Sequence, residues 1–341
     1  MTGMERIEAA LRFDAASEPP VIPQVFGFTA KMWGVPLDDY VRSGDVLARC
    51  QLKTQAHFGY DAVFGVMDVG VETEAVGSVL SYCADRYPTV ASYAITEPSD
   101  VNHLSVPDPC RAGRMPEILH ALDIMRSEVN DKVSVVGLVL GPLTLTMQLM
   151  GMERALYLAI DAPDQFMQVL VFAAEVITLF GKAQLGAGAH QMMIFDPVSS
   201  PAVVPAHFFR EFELPLITRV FAEFKKAGSF ANWLHIAGPV ASILPYYGST
   251  GAQIVNLDYQ VEPAVALRQL SGICVNGNLK SSAFIFSSPE EIADASLRLL
   301  EAFQHRGGFI LSSGCEIPPE SRPENVAALV TAAKNRGRSH A

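Results

Sequence analysis

The chain has 341 residues, half of them hydrophobic and 18% charged, and its formal net charge is −11. This length and composition allow a large core, and α/β barrels of this size commonly form one domain, so we expect a single domain over residues 1–341. The acidic balance disfavours nucleic acid and anionic membranes as partners, while five scattered cysteines without a Cys-x-x-Cys pair and a charged N-terminal segment favour a cytoplasmic protein.

Apolar runs alternate with longer helical patterns along the chain. Most of the runs are continuous, which is typical of parallel strands that are buried on both faces. We predict strands at 21–27, 61–68, 132–141, 190–196, 230–236, 252–258, 272–278 and 308–314. Between them we predict helices that include 44–58, 163–186, 206–227, 289–304 and 323–336. Eight such strands predict an α/β protein with a (β/α)8 TIM-barrel fold, and an alternating stretch within 70–130 predicts an inserted hairpin or excursion after the second strand.

Polar residues follow most of the predicted strands. In a TIM barrel the carboxyl ends of the strands meet at one face, where the chemistry takes place. We therefore take four strand-end residues as candidate catalytic groups: Asp196, His235, Asp258 and Cys315. Asp68 and Asn278, which end the second and seventh strands, are candidates for substrate binding, although Asn278 could instead hydrogen-bond its own loop. At each position the alternative is that the strand simply ends at a polar residue.

Aromatic side chains are dense around the first predicted strand. Phe26, Phe28 and Trp33 are candidates for contact with an aromatic substrate or a flat cofactor face. Packing of the core is the alternative explanation for aromatic residues within barrel strands.

Four stretches resemble the uroporphyrinogen decarboxylase superfamily. Three of them are similar to motifs of the whole superfamily: "LGPLTLTMQLMG" at 140–151, "VNGNLKSSAFIFSSPEEI" at 275–292 and "GCEIPPESRPENV" at 314–326. The fourth, "GYDAVFGVMDVGVETEAVG" at 59–77, resembles the methyltransferase branch. The resemblance covers most of the chain and implies a (β/α)8 barrel.

The decarboxylases of this superfamily bind a porphyrinogen that carries many carboxylates, and they use an arginine-bearing motif near the N-terminus. The corresponding stretch here, "VIPQVFGFTAKMWGV" at 21–35, has no arginine. A polyanion pocket without arginine on an acidic chain is physically unfavourable, so this difference disfavours decarboxylation.

The other branch resembles corrinoid-dependent methyltransferases, which move a methyl group between a substrate and a small cobalamin-binding partner protein. Its zinc motif is His-x-Cys followed by a distant Cys. His235 and Cys315 match this motif, but Ala237 stands where the middle cysteine is expected. Either the metal site has been lost, or a carboxylate completes it. The candidate carboxylates are Asp196, Asp258, Glu72 and Glu74, and sequence spacing does not favour one of them over the others. The ligand set that we predict is His235, Cys315 and Glu74.

A site with one thiolate would make zinc a harder Lewis acid than a site with two, and a harder metal favours an oxygen ligand. We therefore predict zinc-assisted transfer of a methyl group from a small methoxylated compound, such as an aromatic one, to a cobalamin-binding protein. The alternatives are transfer from methylcobalamin to a thiol or another acceptor, tetrapyrrole decarboxylation, and a metal-free binding subunit of a methyltransferase complex.

Overall fold

A curled sheet of seven parallel strands forms the centre of the protein. The computed structural model describes residues 1–14 and 18–339. Within them the strands of this sheet are β1 (Ala62–Gly65), β4 (Ser134–Leu140), β5 (Gln191–Phe195), β6 (Asn232–His235), β7 (Ile254–Leu257), β8 (Cys274–Leu279) and β9 (Phe309–Ser313). They lie in the order β1-β4-β5-β6-β7-β8-β9, and all neighbouring pairs are parallel. Two further strands, β2 (Val79–Cys83) and β3 (Arg86–Ser92), pair antiparallel outside this sheet.

Helices fill the connections between the parallel strands. They are α1 (Gly3–Leu11), α2 (Gly27–Met32), α3 (Leu37–Tyr40), α4 (Gly44–Phe58), α5 (Val71–Val76), α6 (Met115–Val129), α7 (Pro142–Met150), α8 (Met152–Asp161), α9 (Pro163–Gly186), α10 (Ala206–Phe208), α11 (Leu214–Lys226), α12 (Leu244–Tyr247), α13 (Pro263–Gln269), α14 (Ala283–Phe286), α15 (Pro289–Phe303) and α16 (Pro323–Ser339). A π-helical turn, Phe209–Glu213, joins α10 to α11.

Local sequence signals account for the ends of several helices. The side chain of Ser43 accepts a hydrogen bond from Val46 N at the start of α4, and Gly59 ends this helix in the left-handed conformation with φ 72°. At α15, Ser288 and Glu291 form a capping box. These signals explain why the predicted helices at 44–58 and 289–304 agree with the structure within one residue.

The segment predicted as the first strand is not a regular strand. Val21 forms a single parallel bridge with Leu311 of β9, and its carbonyl accepts a hydrogen bond from Asp61 N, just before β1. Pro23 has no N–H and cannot extend this pairing, and the chain then enters α2 at Gly27. The structure therefore has seven parallel strands, with a short extended segment lying between the two outer strands.

Side chains inside the curl can be recognised from contacts between distant strands. The rings of Phe64 on β1 and Trp233 on β6 are 6.2 Å apart, although β4 and β5 lie between these strands. Adjacent strands are about 4.8 Å apart, so such a contact requires both rings to lie on the concave face of a curled sheet. His235, two residues after Trp233, lies on the same face because side chains alternate along a strand.

Helix α9 is the longest helix in the described part of the chain, and it is strongly apolar. Its composition and its 24 residues would permit a membrane span, but 56% of its apolar window is buried against the rest of the protein. Such burial is typical of a helix that belongs to a packed core.

Candidate active site

His235 lies at the carboxyl end of β6, fully buried on the concave face. Neither ring nitrogen has a hydrogen-bond partner among the described residues. Burial lowers the pKa of His235 to about 3, so the imidazole is neutral at physiological pH. The ring of Phe195 on β5 covers it, with the two centroids 4.5 Å apart. An unpaired neutral imidazole in this position is suited to bind a metal ion or a substrate group.

Cys315 lies two residues beyond β9 and is half-buried. Its backbone is held by Ser281, whose Oγ donates to the Cys315 carbonyl at 3.0 Å and accepts from Cys315 N at 3.2 Å. Burial raises the pKa of the Cys315 thiol to about 12, and the charges of Glu316 and Asp258 act in the same direction. The thiol therefore stays protonated unless a cation stabilises the thiolate.

Asp258 lies between the segments that carry the two motif residues. Its Oδ2 accepts a hydrogen bond from Gly238 N at 3.2 Å, and Gly238 directly follows Ala237. Next to Cys315, Gly314 packs so closely that an added Cβ would lie 3.0 Å from Asp258 Cα. The Asp258 carboxylate is therefore placed beside position 237, where the family motif has a cysteine, and near Cys315.

Asn256 and Asn276 are two buried amides beside His235 that the motifs and strand ends of the sequence did not indicate. They lie in register with His235 across β6, β7 and β8, and Asn256 Nδ2 donates to Asn276 Oδ1 at 2.8 Å. Both are fully buried, yet Asn256 Oδ1 and Asn276 Nδ2 have no partner among the described residues. Each unmet buried group costs about 1–3 kcal/mol. The available signal was a polar residue inside an otherwise apolar strand.

Asp196 does not face His235, which corrects its predicted catalytic role. It follows Phe195, which is in register with His235, so alternation directs Asp196 to the helix side of the sheet. There its Oδ1 accepts hydrogen bonds from the backbone N and the side-chain Oγ1 of Thr144 on α7, and its Oδ2 accepts one from Ser199 Oγ. Asp196 thus connects the ends of β4 and β5.

Asp68 and Glu74 are also engaged away from His235 and Cys315. Arg114 donates two hydrogen bonds to the Asp68 carboxylate, and its Nε donates to Glu74 Oε2 at 2.6 Å. Asp68 also accepts from Gly70 N, and Glu74 accepts from Tyr82 OH, each at 2.7 Å. These bonds give Asp68 a structural role instead of the predicted substrate contact, and they make Glu74 part of an ion-pair cluster instead of a metal ligand.

Only one of the three aromatic candidates lies beside the concave face. The ring of Phe26 packs against Phe64 with centroids 5.2 Å apart. Phe28 instead contacts Phe58 on α4, and Trp33 Nε1 donates to Thr54 Oγ1 on the same helix at 2.9 Å. Phe28 and Trp33 pack against α4 because the segment after Phe26 is helical, so the alternation of a strand does not apply to it. Their contact with a substrate stays a prediction.

Asn278 stabilises a loop, which was the alternative left open from the sequence. Its Nδ2 donates to the carbonyl oxygens of Val261 at 2.7 Å and Asp258 at 3.2 Å. The side chain therefore holds the segment that follows β7, and the predicted substrate contact is replaced by this structural role.

The predicted metal ligands do not converge in the described residues, where no group of three or more His, Cys, Asp or Glu side chains is placed to share one ion. The donors near the carboxyl ends of β6, β7 and β9 are the imidazole of His235, the thiol of Cys315 and the carboxylate of Asp258, whose two oxygens also accept hydrogen bonds from Gly238 N and Gln260 N. Their chemistry matches the ligands that zinc takes in proteins.

Comparison with known proteins agrees with this fold. Residues 2–336 match the family model described as uroporphyrinogen decarboxylase (URO-D). The chain belongs to this family. A solved structure described as a methyltransferase from Methanosarcina mazei matches with a TM-score of 0.89 and 25% sequence identity, over 98% of this chain and 99% of that chain.

Several curated relatives in this family are methyltransferases. The methylated-thiol–coenzyme M methyltransferase of Methanosarcina mazei is 26% identical over 81% of this chain and 73% of its own length. The methylcobamide:CoM methyltransferase MtaA of Methanosarcina barkeri is 28% identical over 84% of each chain. Uroporphyrinogen decarboxylases are also among the relatives, at 24% to 28% identity. Together with the structural match, these relatives confirm the predicted methyltransferase branch.

Proposed function

We propose that this protein transfers a methyl group from a small methoxylated compound to a corrinoid carried by a partner protein. The observation that carries this proposal is the set of possible metal ligands at the carboxyl ends of the strands of the curled sheet. It contains one thiol, one imidazole without hydrogen-bond partners, and one carboxylate beside the position of the missing cysteine. Among the described residues, no arginine or lysine bonds to these three side chains, which argues against binding of a polyanionic porphyrinogen.

The donor set fits zinc in its chemistry. His235, Cys315 and Asp258 would hold the ion, because imidazole, thiolate and carboxylate are all zinc ligands in proteins. As the described residues are placed these three do not converge on one point, so binding would have to draw them together. A neutral imidazole needs no deprotonation to bind, while the Cys315 thiol must lose its proton. Bound here, zinc would supply a Lewis acid that stabilises negative charge on the oxygen that loses its methyl group.

The protein's own side chains would prepare the substrate for this transfer. Phe64, Trp233 and Phe195 provide apolar surface on the concave face, next to His235. Such surface excludes water from the reacting groups and strengthens electrostatic interactions there. The bond that breaks joins the methyl carbon to oxygen, the bond that forms joins it to cobalt(I) on the partner, and the alkoxide or phenolate that leaves takes up a proton from solvent.

A second candidate is transfer of a methyl group between the corrinoid and a thiol. It is supported by the names of several relatives, which are coenzyme M methyltransferases. Ala237 favours the ether substrate, because a site with fewer thiolates leaves zinc a harder Lewis acid.

The test is an assay of the purified, zinc-loaded protein with free cobalamin. Incubation with cob(I)alamin and 2-methoxyphenol should produce methylcobalamin, which is followed by its absorbance. Incubation of methylcobalamin with a thiol is the parallel reaction. Methylation of the thiol together with no demethylation of any methoxylated compound would exclude the ether reaction.

Substitution of Ala237 by Cys should raise zinc affinity and slow the ether reaction. Position 237 shares the face of His235, so a thiol there adds a ligand and donates charge to the metal. We expect at least about tenfold tighter retention of zinc against a chelator, because even an outer-shell partner of a metal ligand changes metal affinity by about 10–100-fold. The control is Ala237→Ser, which has similar volume but no thiol. Equal zinc affinity in both variants would contradict the placement of position 237 at the metal.

A further inference from the structure

Two amide side chains meet on the concave face with unmet hydrogen-bonding capacity. Asn256 Nδ2 donates to Asn276 Oδ1 at 2.8 Å and to the Ser313 carbonyl at 3.3 Å, which fixes both side chains. Asn256 Oδ1 and Asn276 Nδ2 have no partner among the described residues, although both side chains are fully buried. The pair therefore presents one free acceptor and one free donor side by side.

The side chains next to this pair on the concave face are aromatic or neutral. His235 lies in register with Asn256, and Trp233 precedes His235 by two residues on the same face. In the described part of the chain, no Lys or Arg side chain bonds to the row formed by His235, Asn256 and Asn276. A ligand carboxylate bound at this row would have no cation as a partner and would face the side-chain oxygen of Asn256. The row therefore suits a neutral group of a ligand.

We propose that Asn256 and Asn276 form a subsite for a neutral hydroxyl group of the substrate. The hydroxyl donates to Asn256 Oδ1, and its oxygen accepts from Asn276 Nδ2. This inference rests on the proposed function, in which a methoxylated compound is the methyl donor. It narrows the substrate class to a hydroxylated methoxyarene, whose ring contacts Trp233 and Phe64.

The subsite gives selectivity because both amide groups are buried. A methoxyarene without the hydroxyl would leave Asn256 Oδ1 and Asn276 Nδ2 unpaired in the complex, and sites built to bind a hydroxyl discriminate strongly against such analogues.

The test compares the binding of 2-methoxyphenol and methoxybenzene by titration calorimetry, without corrinoid. The wild-type protein should bind 2-methoxyphenol at least about tenfold more tightly. The double variant Asn256→Leu/Asn276→Leu should bind both compounds equally. The two changes are made together because they remove both partners of one hydrogen bond, so that no single amide is left without its partner. We therefore expect the variant to fold. Thermal unfolding verifies this.

The matched control is Asn232→Leu. Asn232 is also a buried asparagine, on the same strand as His235, but its Nδ2 donates to the Phe221 carbonyl on α11, on the helix side of the sheet. This variant should be less stable and should keep the preference for 2-methoxyphenol.

Three results would overturn the subsite: wild-type protein that binds the two compounds equally, wild-type protein that binds neither, or a double variant that keeps the preference. The comparison of ligands on the wild-type protein tests the proposal even if the double variant does not fold. Preferential binding of 2-methoxyphenol without methyl transfer would remove the proposed function and leave the subsite, whereas equally fast methyl transfer from both compounds would remove the subsite alone.

Discussion

Replacement of Cys315 or His235 by Ala should each remove bound zinc and reduce methyl transfer by about 100-fold or more. Each variant deletes one of three proposed ligands, and Lewis-acid stabilisation of several kcal/mol corresponds to a rate effect of this size. The measurements are the metal content of the purified protein and the rate of methylcobalamin formation.

The control for these variants is Cys50→Ala. Cys50 is a buried thiol on α4, so it tests whether loss of any thiol affects the metal. We expect this variant to keep its zinc and its rate. Stoichiometric zinc in both the Cys315 and the His235 variant would remove the proposed metal site and the mechanism with it.

Replacement of Arg114 by Leu should lower the free energy of unfolding by about 3–5 kcal/mol. Arg114 is buried and bonds to Asp68, to Glu74 and to the Val41 carbonyl at 2.8 Å. Its removal leaves the Asp68 carboxylate charged and buried without a counter-ion, which is a strongly destabilising change. Urea unfolding followed by circular dichroism measures the effect.

Two further variants separate the buried charge from other effects at Arg114. Asp68→Asn in the Arg114→Leu background removes the stranded charge and should restore part of the stability. Arg42→Leu is the matched control, because Arg42 also lies over the ring of Tyr82, at 3.7 Å, but its ion pair with Asp38 is largely exposed. We expect it to cost less than about 1 kcal/mol. Equal losses at positions 42 and 114 would contradict the role of the buried ion pair.

Seven of the eight predicted strands are present in the central sheet. They are continuous apolar runs, and burial on both faces requires such runs, so the sequence signal and the tertiary requirement coincide. The exception is the segment 21–27, where Pro23 limits pairing to the bridge at Val21. The run "VIPQVFG" is apolar because it is buried near the outer strands, and apolar composition alone does not distinguish this from a strand.

The sequence did not show which way the side chains of the candidate site residues point. Asp196 and Asp258 both follow a strand and look equivalent in the sequence, but alternation from Phe195 and Asn256 directs them to opposite faces of the sheet. The sequence does not show that the Glu74 carboxylate pairs with Arg114, because the two residues are far apart in the chain. Asn256 and Asn276 were not among the predicted site residues, because they lie inside strands and not at strand ends.

From the sequence alone, the parallel α/β architecture and the family could be derived, because local periodicity and short motifs encode them. Only the tertiary structure decided which carboxylate approaches position 237. It also decided which polar groups face the concave side without hydrogen-bond partners. The physical reason is that these properties depend on strand register and on contacts between residues far apart in the chain, such as Gly238 with Asp258 and Asp68 with Arg114, and no local pattern records them.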